Sequence, residues 1–323
     1  MRAIFRALVS MLVAGVSFPA AGVSPPLAYV ASFGLDSNPC SRVQPCRPFQ
    51  TAVNTVATGG TVIALTTAGY GTVTINKSVS IVAPTGVYAG ISGSGGMGIM
   101  VDIPTGAEVI LRGLTVSQSP PASGNGVELR NGGRLTVEGL TITGFSGAGI
   151  KPATETGQLI VIDTMIVNCG TAIAAGTLNA SIGDVGQLAQ PFTVDRLRAL
   201  HNGVGVGVYE EYSGTVRDST IAYSALHGVQ VAGGEINGVH PACFPAKVRV
   251  DNSLVFGGNN GMTVQQGPTA SCVALANVAG TAVVGTQNAS IKITGAASKV
   301  QSLHDNVVDL SQAVGTPATY VAK

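Results

Sequence analysis

Glu128 and Lys151 are the residues of this chain best suited by type to move a proton: a carboxylic acid and an ammonium that could act as general acid and base. The plainer reading is an exposed ion pair between neighbouring repeats, worth ~0–1 kcal/mol. Tyr209-Glu210-Glu211-Tyr212 is the second cluster with chemistry in it. Two rings flanking two carboxylates can hold a sugar by stacking and hydrogen bonding. The alternative is a polar bend whose tyrosines pack on neighbouring repeats, and a chain with no tryptophan lacks the usual sugar platform. His201 and His227 stand at or next to glycines that open apolar segments and read as surface bend residues, and His240, beside Pro241, reads as a loop residue. No Cys or His spacing matches a zinc site, and neither a metal nor a cofactor is expected.

These residues are positioned by a short pattern that recurs through the middle of the chain. An apolar residue, a spacer and a turn-tolerant residue are followed, three further on, by another apolar residue. The copies begin at Leu111, Val137, Val161, Val194, Val216 and Val250, with a degraded seventh at Leu275 that puts Asn277 at the turn. A base period in the mid-twenties marks a solenoid, because no single repeat can bury its own apolar face. Two steps are lengthened by insertions, Gly176 to Pro191 and Gly233 to Pro245. Gly113, Gly139, Asp163, Asp218 and Asn252 share one phase and are types that tolerate a left-handed backbone, so they read as bends rather than a metal ladder. Arg196 breaks that column, and its coil is expected to bend differently.

Each repeat has a second half, such as Gly126–Leu129, Gly203–Val206 and Gly228–Val231, with apolar residues at period two. Short strands separated by Gly, Asn and Asp describe one coil of a β-helix. The expected fold is therefore all-β, a parallel β-helix over 61–310, with a tail at 311–323. Leu111, Val116, Val137, Ile142, Val161, Ile166, Val216, Ile221, Val250 and Val255 should fill its core. The 44 glycines and 10% charged residues suit a narrow aliphatic core with many tight bends.

Residues 1–21 have the form of a secretory signal: basic Arg2 and Arg6, an apolar stretch, then small residues. Cleavage as late as Ala28 is the alternative. No later run is long and apolar enough to span a bilayer. Without Arg2 and Arg6 the acids outnumber the bases by one, so nothing in the overall charge favours nucleic acid or anionic lipid. Residues 29–60 then supply a first strand and a helix. Phe49, Val53, Val56 and Ala57 recur with helical spacing over two to three turns, and Gly59-Gly60 stops them. Such a helix covers the open end of the first coil. Five cysteines in an exported chain suggest two bridges and a leftover. Cys40 is expected to pair with Cys46 and Cys243 with Cys272, leaving Cys169 as a buried thiol.

Several of these segments resemble the bacterial right-handed parallel β-helix repeat proteins of the pectin-lyase-like superfamily, specifically an uncharacterised exported branch. The carriers are Tyr29-Val30, Asp36-Ser37-Asn38-Pro39-Cys40, Cys46 to Asn54, Gly71 to Val82, and the closing Val300-Gln301-Ser302 with Asp305-Asn306-Val307. The resemblance covers nearly everything after the signal and implies a right-handed coil. It does not imply one activity, since the superfamily includes polysaccharide lyases, hydrolases, epimerases, adhesins and proteins without a known role.

In that superfamily the chemistry lies on the outer face of the strand preceding the longest loops. By alternation, the outward positions here are Glu128, Arg130, Lys151, Gly205, Gly207, Gln230, Thr263 and Gln265. A calcium-dependent lyase needs clustered carboxylates there, a hydrolase needs two placed for acid and base or nucleophile, and this face offers one. The polygalacturonase-type motifs are absent as well. The reading adopted is an exported, non-catalytic β-helix in the periplasm, secreted or at the cell surface, recognising a polysaccharide or a surface protein. The alternative is a polysaccharide lyase or hydrolase with Glu128 and Lys151 as its pair.

Overall fold

The computed structural model describes residues 24–93, 96–152, 157–176, 190–209, 212–233, 245–267, 272–296 and 298–309. Their strands form three sheets of eleven, ten and nine strands, all paired in parallel. Nine successive coils contribute one strand to each sheet; among the described residues the first coil adds only Leu27–Val30, and the last adds only Lys299–His304 and Val307–Val308. In one coil, Gly133–Glu138 lies in the first sheet, Thr141–Phe145 in the second and Ala148–Pro152 in the third. The expected solenoid is what the chain forms.

The recurring pattern straddles the corner from first to second sheet. Leu111, Val137, Val161, Val194, Val216 and Val250 lie in one register along the first sheet. All ten expected core residues are buried. The register continues to Val278 rather than Leu275, and the bend after it falls at Gly280, φ +54°. Asn277 lies inside the strand Ala274–Ala279, so the seventh copy is later than its sequence suggests.

Arg196 does not break the bend. Its φ of +53° matches Asp163 (+48°), Asp218 (+50°) and Asn252 (+46°). A left-handed backbone is unfavourable for arginine, but its guanidinium grips Asp163 of the preceding coil at 2.5 and 2.8 Å and Asp195 at 2.9 Å. The ion pair supplies what residue type does not.

At the N-terminal end the first sheet begins with Leu27–Val30, paired to Thr61–Ala64. Ala28 is buried within that strand. The outer edge of the strand is covered by the loop that the Cys40–Cys46 disulfide closes: Tyr29 N–H donates to the Cys40 carbonyl and Ala31 N–H to that of Cys46. The helix Phe49–Thr55 buries Phe49, Ala52 and Val53 beneath it, with Phe49 4.9 Å from the Tyr70 ring. It is shorter than its apolar spacing suggests. Val56 already has an extended backbone, and the helix stops before Gly59-Gly60. Among the described residues no helix is long and apolar enough to cross a membrane.

Candidate functional site on the outer face of the third sheet

The third sheet brings one outward residue per coil into a single file. From the N-terminal side the file runs Thr74, Met100, Glu128, Lys151, Ala174, Gly207, Gln230, Thr263 and Lys292, with Glu128, Gln230 and Thr263 buried; register pairs fix each neighbour except Lys151–Ala174, which follows from the flanking pairs. Neighbours are about 4.8 Å apart. Both long insertions leave from this sheet, after Thr171–Ala175 and after His227–Ala232.

Glu128 and Lys151 are register partners, as the repeat implies, yet they form no ion pair with each other among the described contacts. Glu128 is 8% exposed and accepts from Arg130 Nε at 2.9 Å and Asn125 Nδ2 at 2.8 Å. The expected exposed pair is thus replaced by a buried carboxylate with both oxygens engaged. Lys151 has no carboxylate within 4.0 Å among the described residues.

The two tyrosines belong to different sheets. Tyr209 ends the third-sheet strand Val204–Tyr209, and Tyr212 opens the first-sheet strand Tyr212–Arg217. Both rings are buried, at 6% and 8% exposure, so the expected pair of open rings around a sugar does not form. Glu210 and Glu211 lie outside the described residues, as do His240 and Cys243. Tyr212 Oη donates to the Pro152 carbonyl at 3.3 Å. Tyr209 folds back across the outer face and donates to Gln230 Oε1 at 3.0 Å. A Cβ at Gly207 would lie 2.5 Å from Tyr209 Oη, so glycine there makes room for the ring. Burial pushes the phenol up to about 12, which keeps it protonated near neutrality.

His227 is the residue that its sequence context hid. It opens the strand His227–Ala232 rather than forming a surface bend. Its Nδ1 lies 2.9 Å from Thr263 Oγ1 and 3.3 Å from Asn260 Nδ2, both on the next coil. Asn260 Oδ1 in turn accepts from Asn288 Nδ2 at 3.0 Å, one coil further on. Burial and, after it, the Lys292 ammonium hold the imidazole below its usual range, so it is neutral at pH 7. The available signal was a polar residue recurring just before a glycine, in Asn202-Gly203, His227-Gly228 and Asn260-Gly261. His201, by contrast, is a bend residue as expected, with φ +54° and its ring stacked 5.0 Å from Tyr223.

From Lys151 to Lys292 the file carries a cation at each end and no carboxylate between. Lys292, like Lys151, has no carboxylate within 4.0 Å among the described residues. Calcium-dependent chemistry would need several carboxylates here, and no group of three His, Cys, Asp or Glu comes together among the described residues. The donors among the described residues do not fit that metal. Cys40–Cys46 is bonded as expected, Cys169 is free and buried, and Cys272 is disulfide-bonded.

No protein-family model matches the chain, and no curated protein matches it. Solved structures do. An alginate lyase from Paenibacillus sp. str. FPU-7 superposes with a TM-score of 0.59 at 12% identity, covering 86% of this chain and 94% of that one. XylC in complex with xylose gives 0.57 at 10% identity, over 83% and 68%. Pectate lyase Pel9A gives 0.51 at 15% identity, over 90% and 78%. These likenesses show the fold, a right-handed parallel β-helix, the architecture of the pectin-lyase-like superfamily.

Proposed function

We propose that the chain acts on an acidic polysaccharide laid along the outer face of the third sheet, as a lyase centred on His227. The observation that carries the proposal is the file from Lys151 to Lys292, cationic at both ends, free of carboxylates and flanked by a neutral imidazole. Hydrolysis calls for two carboxyl groups flanking the bond, and none stands in this stretch among the described residues. β-Elimination calls for a base, a cation near the sugar carboxylate and a proton donor. In the tautomer that carries its proton on Nδ1, toward Thr263 Oγ1, His227 would take at Nε2 the proton on the carbon beside the carboxylate. Lys292 would stabilise the charge that develops there. The C–O bond then breaks, a double bond forms in the sugar, and the leaving oxygen takes a proton from the Tyr209 phenol. Two of the similar structures are lyases by name, which supports this direction. The leader at 1–21 and the disulfides support export to a secreted or periplasmic location, where such polymers occur.

A second reading keeps the ligand and drops the chemistry. Its support is Tyr209, whose ring is buried and whose hydroxyl is already spent on Gln230. The purified chain should be assayed on uronate polymers and on a neutral polymer, following unsaturated-product absorbance and binding together. The lyase reading expects product from the uronate polymer and a loss of about 10²-fold or more in His227→Ala. Binding without product would leave recognition alone. No binding to any acidic polymer would overturn both.

A further inference from the structure

A second surface, at the N-terminal end of the stack, is built for a different partner. Ser32 to Leu35 and Ser41 to Gln44 form two neighbouring loops that leave three large apolar side chains in solvent. Phe33 is 67% exposed, Leu35 61% and Val43 87%. The loops are held rigidly. The Cys40–Cys46 disulfide closes the second one. Leu35 N–H donates to the Pro45 carbonyl at 3.3 Å, and Asn38 Nδ2 to the same carbonyl at 2.8 Å. Gly34 packs so closely on Pro45 and Cys46 that a Cβ there would meet their backbone. A fixed presentation of exposed Phe, Leu and Val stabilises nothing inside this fold, and all three would be better buried elsewhere.

Charge identifies the occupant. Arg42, beside Val43, and Arg47, just past the disulfide, are exposed and have no carboxylate within 4.0 Å among the described residues. Asp36, next to Leu35, is the one acid from Ser32 to Arg47. Exposed apolar side chains accompanied by two unpaired arginines match the boundary of an anionic lipid bilayer, where apolar side chains enter the acyl region and arginines meet headgroups. A second protein fits less well. Three side chains cover only a few hundred Å², below the ~1,000 Å² of a stable protein interface.

We propose that this disulfide-stapled tip docks the protein end-on to anionic membrane surfaces. The loops cap the edge of the first strand, so docking through them would leave the outer faces of the coils open to a polymer ligand. The inference does not depend on what the third sheet does.

The chain lacks tryptophan, so a single indole can report on the tip. Phe33→Trp should shift its emission to the blue with vesicles of mixed phosphatidylglycerol and phosphatidylcholine. It should not shift with phosphatidylcholine alone, and added salt should weaken the effect. Adding Val43→Asp should lower vesicle affinity roughly tenfold or more. Tyr223→Trp, a half-exposed site many coils further along the stack, just after the strand Thr220–Ala222, should stay unshifted. An indole at position 33 that ignores anionic vesicles would overturn the proposal. So would a shift in both indoles, or a concentration-dependent shift without vesicles, which would assign the tip to a second copy of the chain.

Discussion

His227 shows how a residue's role is set by its neighbours on other coils. Its neutral form is favoured in the fold by burial and by Lys292. The sign of the consequence follows from linkage. The native state binds a proton less readily than the unfolded chain, whose imidazole titrates near 6.5. Stability is therefore complete above about pH 6.5 and declines as the pH falls through and below that value. The melting temperature of the wild type should drop on acidification from pH 7 to pH 5 by more than that of His227→Gln. Parallel curves for the two proteins would show that the imidazole is not held neutral. None of this was legible locally. The residues preceding the glycines read correctly as bends at His201 and wrongly at His227. What separates the two is the strand that Gly228 continues and the Thr263 hydroxyl, which the fold brings back across the insertion from Gly233 to Pro245. Glu128 and Lys151 show the opposite case, since their register was legible but the local partner Arg130 was not.

At the scale of elements, a column of glycines at the corner between second and third sheets sets how closely coils stack. At Gly126 an added Cβ would lie 2.6 Å from Ile142 Cγ2, and at Gly149 it would lie 2.5 Å from Ile166 Cγ2. Gly98, Gly205, Gly228 and Gly261 meet Val116, Ile221, Val255 and Val283 in the same way, each on the next coil. The interruption between Gly98 and Gly261 is Ala172, and the residue it faces on the next coil is Ala199, buried where its neighbours in register are Ile166 and Ile221. Size at one position is matched by size at the other. Ala199→Ile should cost about 1–3 kcal/mol by overpacking, and Ala172→Gly in the same chain should recover a good part of it. A double-mutant cycle with additive effects would sink the pairing. This level of the fold was largely legible, because the bend and the corner glycine recur at fixed phase. The bend at Arg196 escaped because an ion pair, not residue type, stabilises it.

At the scale of the whole molecule, the solenoid separates its charges by face. Apart from Glu128–Arg130, the described ion pairs lie on the first sheet or at its corner with the second, among them Arg112–Glu138, Arg134–Glu108 and Arg217–Asp195. Arginine and carboxylate alternate there and largely cancel. Along the third sheet, Lys151 and Lys292 stand about 24 Å apart, five strand spacings, with only neutral residues between them in the file. That division of charge is what points to an extended acidic ligand. The most direct measurement is calorimetric titration with an acidic oligosaccharide and its neutral counterpart, on the wild type and on Lys151→Glu with Lys292→Glu. The acidic ligand should bind preferentially, with an affinity that falls as salt rises and by at least tenfold in the double variant. Equal affinity for the neutral ligand, or a double variant that binds as well as the wild type, would contradict it.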